Sequence, residues 1–204
     1  MEKPAPADVS IHDLIARRWS PRAFADRPVS PDVLRQLFEA ARWAASSNND
    51  QPWFYLVAGR ENPAEFQKML ACLVEFNQGW AKAAPVLAIS VARSNFAQDG
   101  SPNGHARHDV GAASALLCIQ ATALGLAVHQ MAGFDAALAR KTYGIPAEYE
   151  PVAAMAIGYA GDPASLPQKL RERETAPRAR KPVSDFVFSG AWNQKAPFVT
   201  SGTK

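Results

Sequence analysis

Residues 110 to 134 form the part of the sequence that most limits the fold, because they contain no Asp, Glu, Lys or Arg. The stretch GAASALLCIQATALGLAV within it is long enough to cross a bilayer. It also carries polar or small residues such as Ser114, Gln120 and Thr122, and the rest of the chain has an ordinary globular composition. We therefore predict a helix from about residue 105 to residue 124 that is buried on all sides by protein rather than by lipid.

Short apolar runs and helical patterns alternate on both sides of this helix. Runs rich in β-branched and aromatic residues predict strands at 52–59, 85–92, 127–131 and 151–160. Apolar residues at helical spacing predict helices after Ser10 and after Ser30, at about 63–76, and at 136–143, with each serine as an N-cap. This alternation indicates a mixed α and β domain.

Length and charge bound the class of protein. The 204 residues, 48% of them hydrophobic, are enough for one globular domain spanning 1–204. The formal net charge of +3 is too small for a protein that binds nucleic acid or a membrane surface through its overall charge. Residues 165–204 carry few periodic apolar residues, so we expect this C-terminal extension to be disordered or to lie against another subunit.

Several well-known catalytic motifs are missing from this chain. It has no GxGxxG or GxxxxGK[ST] nucleotide loop, no HExxH or GxSxG, and no Cys/His or carboxylate cluster typical of a metal site. Cys72 and Cys118 lie in apolar helical patterns, and no secretory signal is visible, which favours a reduced, cytoplasmic protein. If the protein is an enzyme, we expect its chemistry to come from a bound cofactor.

Two arginine clusters are the clearest candidates for a binding site. RRWSPRAF at 17–24 places guanidinium groups, a serine hydroxyl and loop amides together, and RAR at 178–180 is a second arginine pair. Arginine donates bidentate hydrogen bonds and keeps its charge, so such clusters suit a phosphate dianion. The spacing alone leaves open the alternative that these are solvated surface arginines paired with nearby carboxylates.

Two loops carry the remaining candidate residues. AASSNNDQPW at 44–53 offers adjacent donors and acceptors that can match the imide edge of a heterocycle, or can simply cap a helix. In MAGFD at 131–135, the glycine allows the backbone to approach a flat ring closely. His129, just before this loop, fits either a structural role or a polar contact near such a ring.

In this order the motifs resemble those of the nitroreductase family of FMN-dependent oxidoreductases. The likeness runs through R-W-S-P-R-x-F, A-A-S-S-x-N-x-Q-P-W, the charge-free helix, G-F-D, I-G-Y-x-G-D-P and R-x-R-K-P. The chain departs at Trp19, where the family more often has Arg or His, and at Ala45, where the family's Pro-Ser begins. The resemblance implies an α+β fold whose central, mainly antiparallel sheet is flanked by helices.

The resemblance also implies a homodimer. The long buried helix would lie at the interface, each FMN would lie across it, and residues 165–204 would wrap around the partner subunit. The site residues implied are Arg18, Trp19, Ser20, Arg22, Ser46, Ser47, Asn49, Ala132, Gly133, Arg178 and Arg180.

Among these residues the resemblance implies a division of roles. Arg18 and Ser20 would bind the FMN phosphate, joined by Arg178 and Arg180. Arg22 would lie beside the pyrimidine side of the flavin, where its charge stabilises the anionic reduced ring.

The other residues would contact the flavin ring. Asn49 would hydrogen-bond to its edge, and Ser46 and Ser47 would contact the flavin of the partner subunit. Ala132 and Gly133 fall where the family places a backbone N–H near flavin N5.

The implied activity is a two-electron, ping-pong reduction. NAD(P)H would pass hydride to flavin N5 and leave, and a small electron-poor acceptor such as a nitroaromatic, a quinone or an enone would then be reduced. Two alternatives stay open at this point. One is a flavoprotein of the same fold with other chemistry, such as dehalogenation or flavin fragmentation; the other is an anion- or nucleic-acid-binding module without redox chemistry.

Overall fold

A four-stranded sheet forms the centre of the computed structural model, which describes residues 2–199. Its strands are β1 (Trp53–Gly59), β2 (Val86–Arg93), β3 (Ala127–Met131) and β4 (Tyr149–Gly158). They lie in the order β1-β2-β4-β3, and every neighbouring pair is antiparallel. All four strands were predicted from sequence to within two residues at each end.

Helices flank this sheet on both faces. Those in the described part of the chain are α1 (Asp13–Arg17), α2 (Pro31–Arg42), α3 (Pro63–Leu70), α4 (Glu75–Ala81), α5 (Ala106–Ala123), α6 (Ala136–Tyr143) and α7 (Gln168–Thr175). The predicted α+β class, with an antiparallel central sheet between helices, is confirmed.

The central strand β2 is buried on both faces. Val86 and Ala88 pack into one core with α2 and α5, whereas Leu87 and Ile89 pack into a second core with α3, α4 and α7. Successive side chains point to opposite faces of a strand, so one apolar run supplies both cores. This explains why β2 has the continuous apolar sequence of a strand that is covered on both sides.

The predicted long helix is α5, within one residue of its predicted bounds, but the prediction of burial on all sides is wrong for a single chain. Val110, Ala113, Leu117 and Ala121 are buried against the sheet and α2. The opposite face is exposed, and its residues are Gly111, Ala115, Leu116 and Ala123. Within residues 2–199, none of the helices is both long enough and apolar enough to cross a membrane.

The predicted helix at 63–76 is two helices, α3 and α4. Between them Leu73 forms a β-bridge with Phe134, and the N–H of Val74 donates to the carbonyl of Gly133 at 3.1 Å. A backbone that hydrogen-bonds to a distant segment cannot continue the local helical pattern, so α3 ends before this turn.

The start of α1 also differs from its prediction. The N-cap is His12, whose Nδ1 accepts a hydrogen bond from the N–H of Leu14 at 3.2 Å, and Ser10 lies outside the helix. The next serine cap is confirmed, because the Ser30 side chain accepts from the N–H of Val33 at the start of α2.

The sequence suggested that the C-terminal extension lacks core residues, and the structure contradicts this. It contains α7, and both Leu166 and Leu170 are buried in the same core as α3 and α4. Two leucines four residues apart are too few to give a periodic signal, so the helix was missed. Met1 and residues 200–204 of the predicted domain lie outside the described residues.

Candidate functional site

The loop that follows α1 carries the first arginine cluster. α1 ends at Arg17, and Arg18 already has an extended backbone with ψ of 123°. Pro21 within the loop is buried, and its carbonyl contacts His129 Nδ1 at 2.9 Å. The loop is therefore held against β3 rather than free on the surface.

This loop and the C-terminal extension together line a cavity of 260 Å³, which we call the cation cavity. Its charged lining comprises six cationic side chains and one carboxylate, namely Lys3, Arg18, Arg22, Arg173, Arg178, Arg180 and Glu174. Trp19 and Ser20 line it as well. The residues predicted for phosphate binding, which are far apart in sequence, thus meet in one place with too few carboxylates to neutralise them.

Arg178 has a structural role that the sequence did not reveal. Its guanidinium donates to the carbonyls of Lys3, Ala16 and Arg18 at 2.6, 2.8 and 3.0 Å. Burial lowers the pKa of Arg178 below that of an ordinary arginine, and the positive charges of Arg18 and Arg180 lower it further. Arg178 therefore ties the extension to the first loop and lies in a field of like charge.

The remaining cations of the cavity have donors left for an anion. Arg18 donates from Nη1 to the Ser20 hydroxyl at 3.4 Å, and exposed Arg180 donates only to the carbonyl of its neighbour Ala179. Among the described residues, no carboxylate forms an ion pair with Arg18, Arg178 or Arg180. Uncompensated guanidinium groups around one cavity are the donor set that a phosphate dianion requires.

Glu174 is the one carboxylate that residues 2–199 contribute to the cavity, and it faces inward. Its Oε1 accepts hydrogen bonds from the N–H groups of Arg22 at 2.7 Å and Ala23 at 3.0 Å. Its Oε2 lies 3.8 Å from Arg22 Nη1, and both this oxygen and Arg22 Nε are buried without a hydrogen-bond partner. Glu174 therefore fixes the backbone at Arg22 and leaves the cations nearer the rim unpaired.

His129 on β3 supports the same loop. Burial lowers its pKa to about 4, the positive charge of Arg22 lowers it as well, and the hydrogen bond to Pro21 opposes both. The imidazole ring also lies 4.6 Å from the ring of Trp80. His129 is thus a neutral side chain that positions the arginine loop, in agreement with the structural alternative.

The loop with Ala132 and Gly133 follows the end of β3. The Gly133 carbonyl accepts from the N–H of Val74 and from Asn77 Nδ2, at 3.1 and 2.9 Å. A Cβ atom at Gly133 would lie 2.5 Å from that same Nδ2, so a side chain here would displace the Asn77 amide from its hydrogen bond. Because a strand rises about 3.3 Å per residue, Ala132 lies about 10 Å along the chain from His129.

The loop with Ser46, Ser47 and Asn49 is held in an uncommon backbone conformation. Asn48, Asn49 and Gln51 have φ values of 52°, 52° and 51°, a region that Asn tolerates better than most residues. Its anchors are hydrogen bonds from Ser47 N–H to Asp109 Oδ2 at 3.0 Å and from Gln51 N–H to the Ser46 hydroxyl at 3.0 Å. Such local strain is found most often at functional sites.

Within one chain this loop does not join the cation cavity. Asn49 lines a different cavity, together with Phe96 and Ser101. Asp109, which holds Ser47, is in the first turn of α5, whereas Trp19 lies beside Thr122 at the other end of that helix. At 1.5 Å per residue, the two helix positions are about 20 Å apart.

Sequence reasoning missed three charged residues of the cation cavity, Lys3, Arg173 and Glu174. Lys3 and Glu174 act through contacts with residues more than 150 positions away. The unusual density of cations near position 174 was the only signal. In the described residues no group of three or more His, Cys, Asp or Glu is arranged to hold a metal ion.

Comparison with known proteins yields one family and several close relatives. The model described as "Nitroreductase family" matches residues 15–159. A protein of Xanthomonas oryzae pv. oryzae, named "Putative NADH dehydrogenase/NAD(P)H nitroreductase", is 32% identical to this chain. The aligned region covers 77% of this chain and 88% of that protein.

Solved structures match over nearly the whole chain. One described as an oxidoreductase containing FMN superimposes with a TM-score of 0.89 at 34% identity, over 94% of this chain and 97% of the other. A nitroreductase family protein of Clostridium difficile 630 has a TM-score of 0.68 at 22% identity, over 87% and 96% of the two chains, and shares the fold.

Proposed function

Because this chain belongs to the nitroreductase family of oxidoreductases, we propose that it binds FMN, takes electrons from NAD(P)H and reduces nitroaromatics, quinones or similar electron-poor acceptors. The observation that carries the proposal is the cation cavity, in which Arg178 from the extension meets Arg18 from the first loop across 160 positions of sequence. Both cysteines are buried and free, which supports a reducing, cytoplasmic location.

Arg18, Ser20, Arg178 and Arg180 would hold the cofactor's phosphate. They line the same cavity, and no described carboxylate forms an ion pair with any of the three arginines. Arg178 donates three hydrogen bonds to backbone carbonyls, which leaves the rest of its five N–H groups available to an anion. The cavity thus has the charge and the donors that a phosphate dianion needs.

Arg22 and the loop of Ala132 and Gly133 would hold the ring. Arg22 has its backbone fixed by Glu174 and a guanidinium nitrogen buried without a partner. When bound, FMN would supply the hydride and electron chemistry, since no protein acid or base is required for it. The positive charge of Arg22 would stabilise negative charge on the reduced ring, and the glycine would let the backbone approach it.

We propose that the complete site needs two chains. In one chain about 20 Å of α5 separates the Ser46–Asn49 loop from the arginine loop. Two copies of α5 packed in antiparallel fashion about a two-fold axis would bring the Asp109 end of each beside the Thr122 end of the other. The exposed face of α5, with Gly111 and Ala115, has the small side chains that allow such close packing.

The C-terminal extension would wrap around the partner. Beyond α7 it exposes large apolar side chains, among them Trp192 with 91% of its surface accessible and Phe198 with 74%. Each chain also has an apolar groove of 1050 Å³ along α2, lined by residues including Leu34, Phe38 and Trp43. Exposed aromatic residues and a large apolar groove on one molecule are typical of an interface.

The visible spectrum of the purified protein tests the proposal. We expect bound flavin, or uptake of added FMN, and anaerobic bleaching by NADH or NADPH, followed by recovery of the oxidised spectrum when a nitroaromatic or a quinone is added. A protein that stays colourless after incubation with FMN would contradict the proposal. Salt-sensitive binding of polyanions would then favour the non-redox alternative.

A flavin that neither NADH nor NADPH reduces would favour the other alternative, a flavoprotein of this fold with different chemistry. Steady-state kinetics with both substrates varied give a second test. Parallel lines in a double-reciprocal plot are expected for a ping-pong mechanism.

A further inference from the structure

Lys3 is the cation that the N-terminal segment contributes to the cavity. The chain segment around it crosses α1, where the N–H of Ala5 donates to the carbonyl of Ala16 at 2.8 Å. The Lys3 carbonyl accepts a hydrogen bond from Arg178 at 2.6 Å. The N-terminal segment is therefore anchored to both halves of the cation cavity.

The Lys3 ammonium is placed by contacts from three directions. Nζ donates to the carbonyls of Glu174 and Ala176, each at 2.6 Å, and lies 5.3 Å from the ring centroid of Trp19. An ammonium over the face of an indole is attracted by the ring. Two of its three protons are accounted for, so one donor remains.

This ammonium lacks a negative partner in the part of the chain that the structure describes. No carboxylate there forms an ion pair with Lys3, and the nearby carboxylate of Glu174 is turned away toward the amides of Arg22 and Ala23. Half-burying an unpaired ammonium beside several arginines costs free energy. An anion bound in the cavity would remove that cost.

We propose that Lys3 is a phosphate-binding residue, brought into the cation cavity by the N-terminal segment and seated on Trp19. The inference rests on the proposed function only for the identity of the anion, which is the phosphate of FMN. The remaining donor of Lys3 and its positive charge add to those of Arg18, Arg178 and Arg180.

The test compares three variants with the wild type. Lys3→Met keeps an unbranched side chain but removes the charge, Lys3→Arg keeps the charge, and Lys141→Met removes an exposed lysine from α6. Affinities are measured by titration with FMN and with riboflavin, which has the same ring and no phosphate. Thermal unfolding with added inorganic phosphate gives an independent readout.

We expect Lys3→Met to weaken FMN binding about tenfold, the typical effect of one lost charge-assisted hydrogen bond, and to leave riboflavin affinity unchanged. It should also reduce the rise in Tm on adding phosphate, while Lys3→Arg and Lys141→Met behave like the wild type. Equal weakening of FMN and riboflavin would overturn the proposal, because Lys3 would then only tether the extension.

Failure of this proposal is distinguishable from failure of the proposed function. If the wild type binds no flavin but phosphate stabilises it through Lys3, the cofactor assignment fails and the anion-binding role of Lys3 stands. If Lys3→Met binds FMN and phosphate as tightly as the wild type, the role of Lys3 fails alone. A wild type that binds neither flavin nor phosphate overturns both.

Discussion

The buried carboxylate of Glu174 accepts a 2.7 Å hydrogen bond from the main-chain N–H of Arg22, which lies 152 positions earlier in the chain. Among the residues that the structure describes, the same carboxylate is the only acidic group that lines the cavity with the six cations. This pair joins the first arginine cluster to α7, which lies just before the second cluster in the chain. It also offsets one positive charge of the cavity.

Replacing Glu174 with Gln tests this relationship. The amide oxygen can still accept from the two backbone N–H groups, but the amide N–H₂ group would face the Arg22 guanidinium, and the cluster would lose its carboxylate. We expect the free energy of unfolding of the ligand-free protein to fall by about 2 kcal/mol in urea denaturation. Added phosphate or FMN should restore most of that loss, because an anion replaces the missing charge.

Glu172→Gln is the matched control for this substitution. Glu172 is exposed on the same helix, and its carboxylate accepts a hydrogen bond from Gln168. We expect its stability to stay within about 0.5 kcal/mol of the wild type. Equal stability of the two variants would refute the structural role of Glu174.

Arg178 and Arg180 should differ in what they contribute, although both line the cavity. Arg178→Ala removes three hydrogen bonds to backbone carbonyls, so we expect both a lower Tm and weaker FMN binding. Arg180→Ala should weaken FMN binding about tenfold while Tm without ligand is unchanged, because Arg180 is exposed and its hydrogen bond within residues 2–199 goes to the adjacent Ala179.

Thermal unfolding and fluorescence titration measure these two quantities. Arg171→Ala on the exposed surface of α7 is the control, and it should change neither. Full FMN affinity in Arg180→Ala would break the assignment of that residue to the phosphate.

His129 predicts a loss of stability in mild acid. Its pKa is about 4 in the folded protein and 6.5 without perturbation, so the unfolded chain binds the proton more readily. The contribution of neutral His129 to the unfolding free energy is complete above pH 6.5. It is lost as the pH falls toward 4, which lowers the unfolding free energy by about 2–3 kcal/mol in total. We expect the unfolding free energy measured in urea to fall over this range.

The variant His129→Gln keeps a side-chain donor for the Pro21 carbonyl but cannot take up this proton. Its stability should therefore change less than that of the wild type between pH 6.5 and pH 4, whereas the exposed control His105→Gln should follow the wild type. Parallel pH profiles for the wild type and His129→Gln would show that the histidine is not responsible.

Because the exposed face of α5 is the proposed dimer contact, we expect a disruptive substitution there to abolish dimerisation and FMN binding together. Ala115→Glu places a charge in the middle of the proposed helix contact, where closely packed backbones leave no space for it. We expect light scattering to give the mass of two chains for the wild type and of one for the variant, which should also lose FMN. Ala137→Glu, at an exposed position of α6, should remain a dimer that binds FMN.

Most secondary structure was readable from local pattern, whereas some helix bounds were not. The strand at 127–131 and the long helix at 106–123 follow from runs of apolar residues within a single element. The break between α3 and α4 is set by Phe134 and Gly133, some 60 positions away, and no local pattern reports such a partner. The two leucines that bury α7 are likewise meaningful only beside the core they enter.

The candidate site was likewise predictable from the sequence only in part. The arginine motifs and the polar loop were identified from residue type and order. That Arg18, Arg178 and Arg180 line one cavity, and that Ser46 and Asn49 lie away from it in the same chain, depends on how the elements pack. Lys3 and Glu174 carry no motif at all.

The sequence by itself determined the fold class, the family likeness and the residue types able to bind a phosphate, because these depend on composition and on patterns a few residues long. The tertiary structure decided which charges meet, which carboxylate offsets them and which helix face remains exposed. Those outcomes depend on distances between residues that are remote in the chain, and electrostatic and hydrogen-bond energies vary with distance in space rather than in sequence.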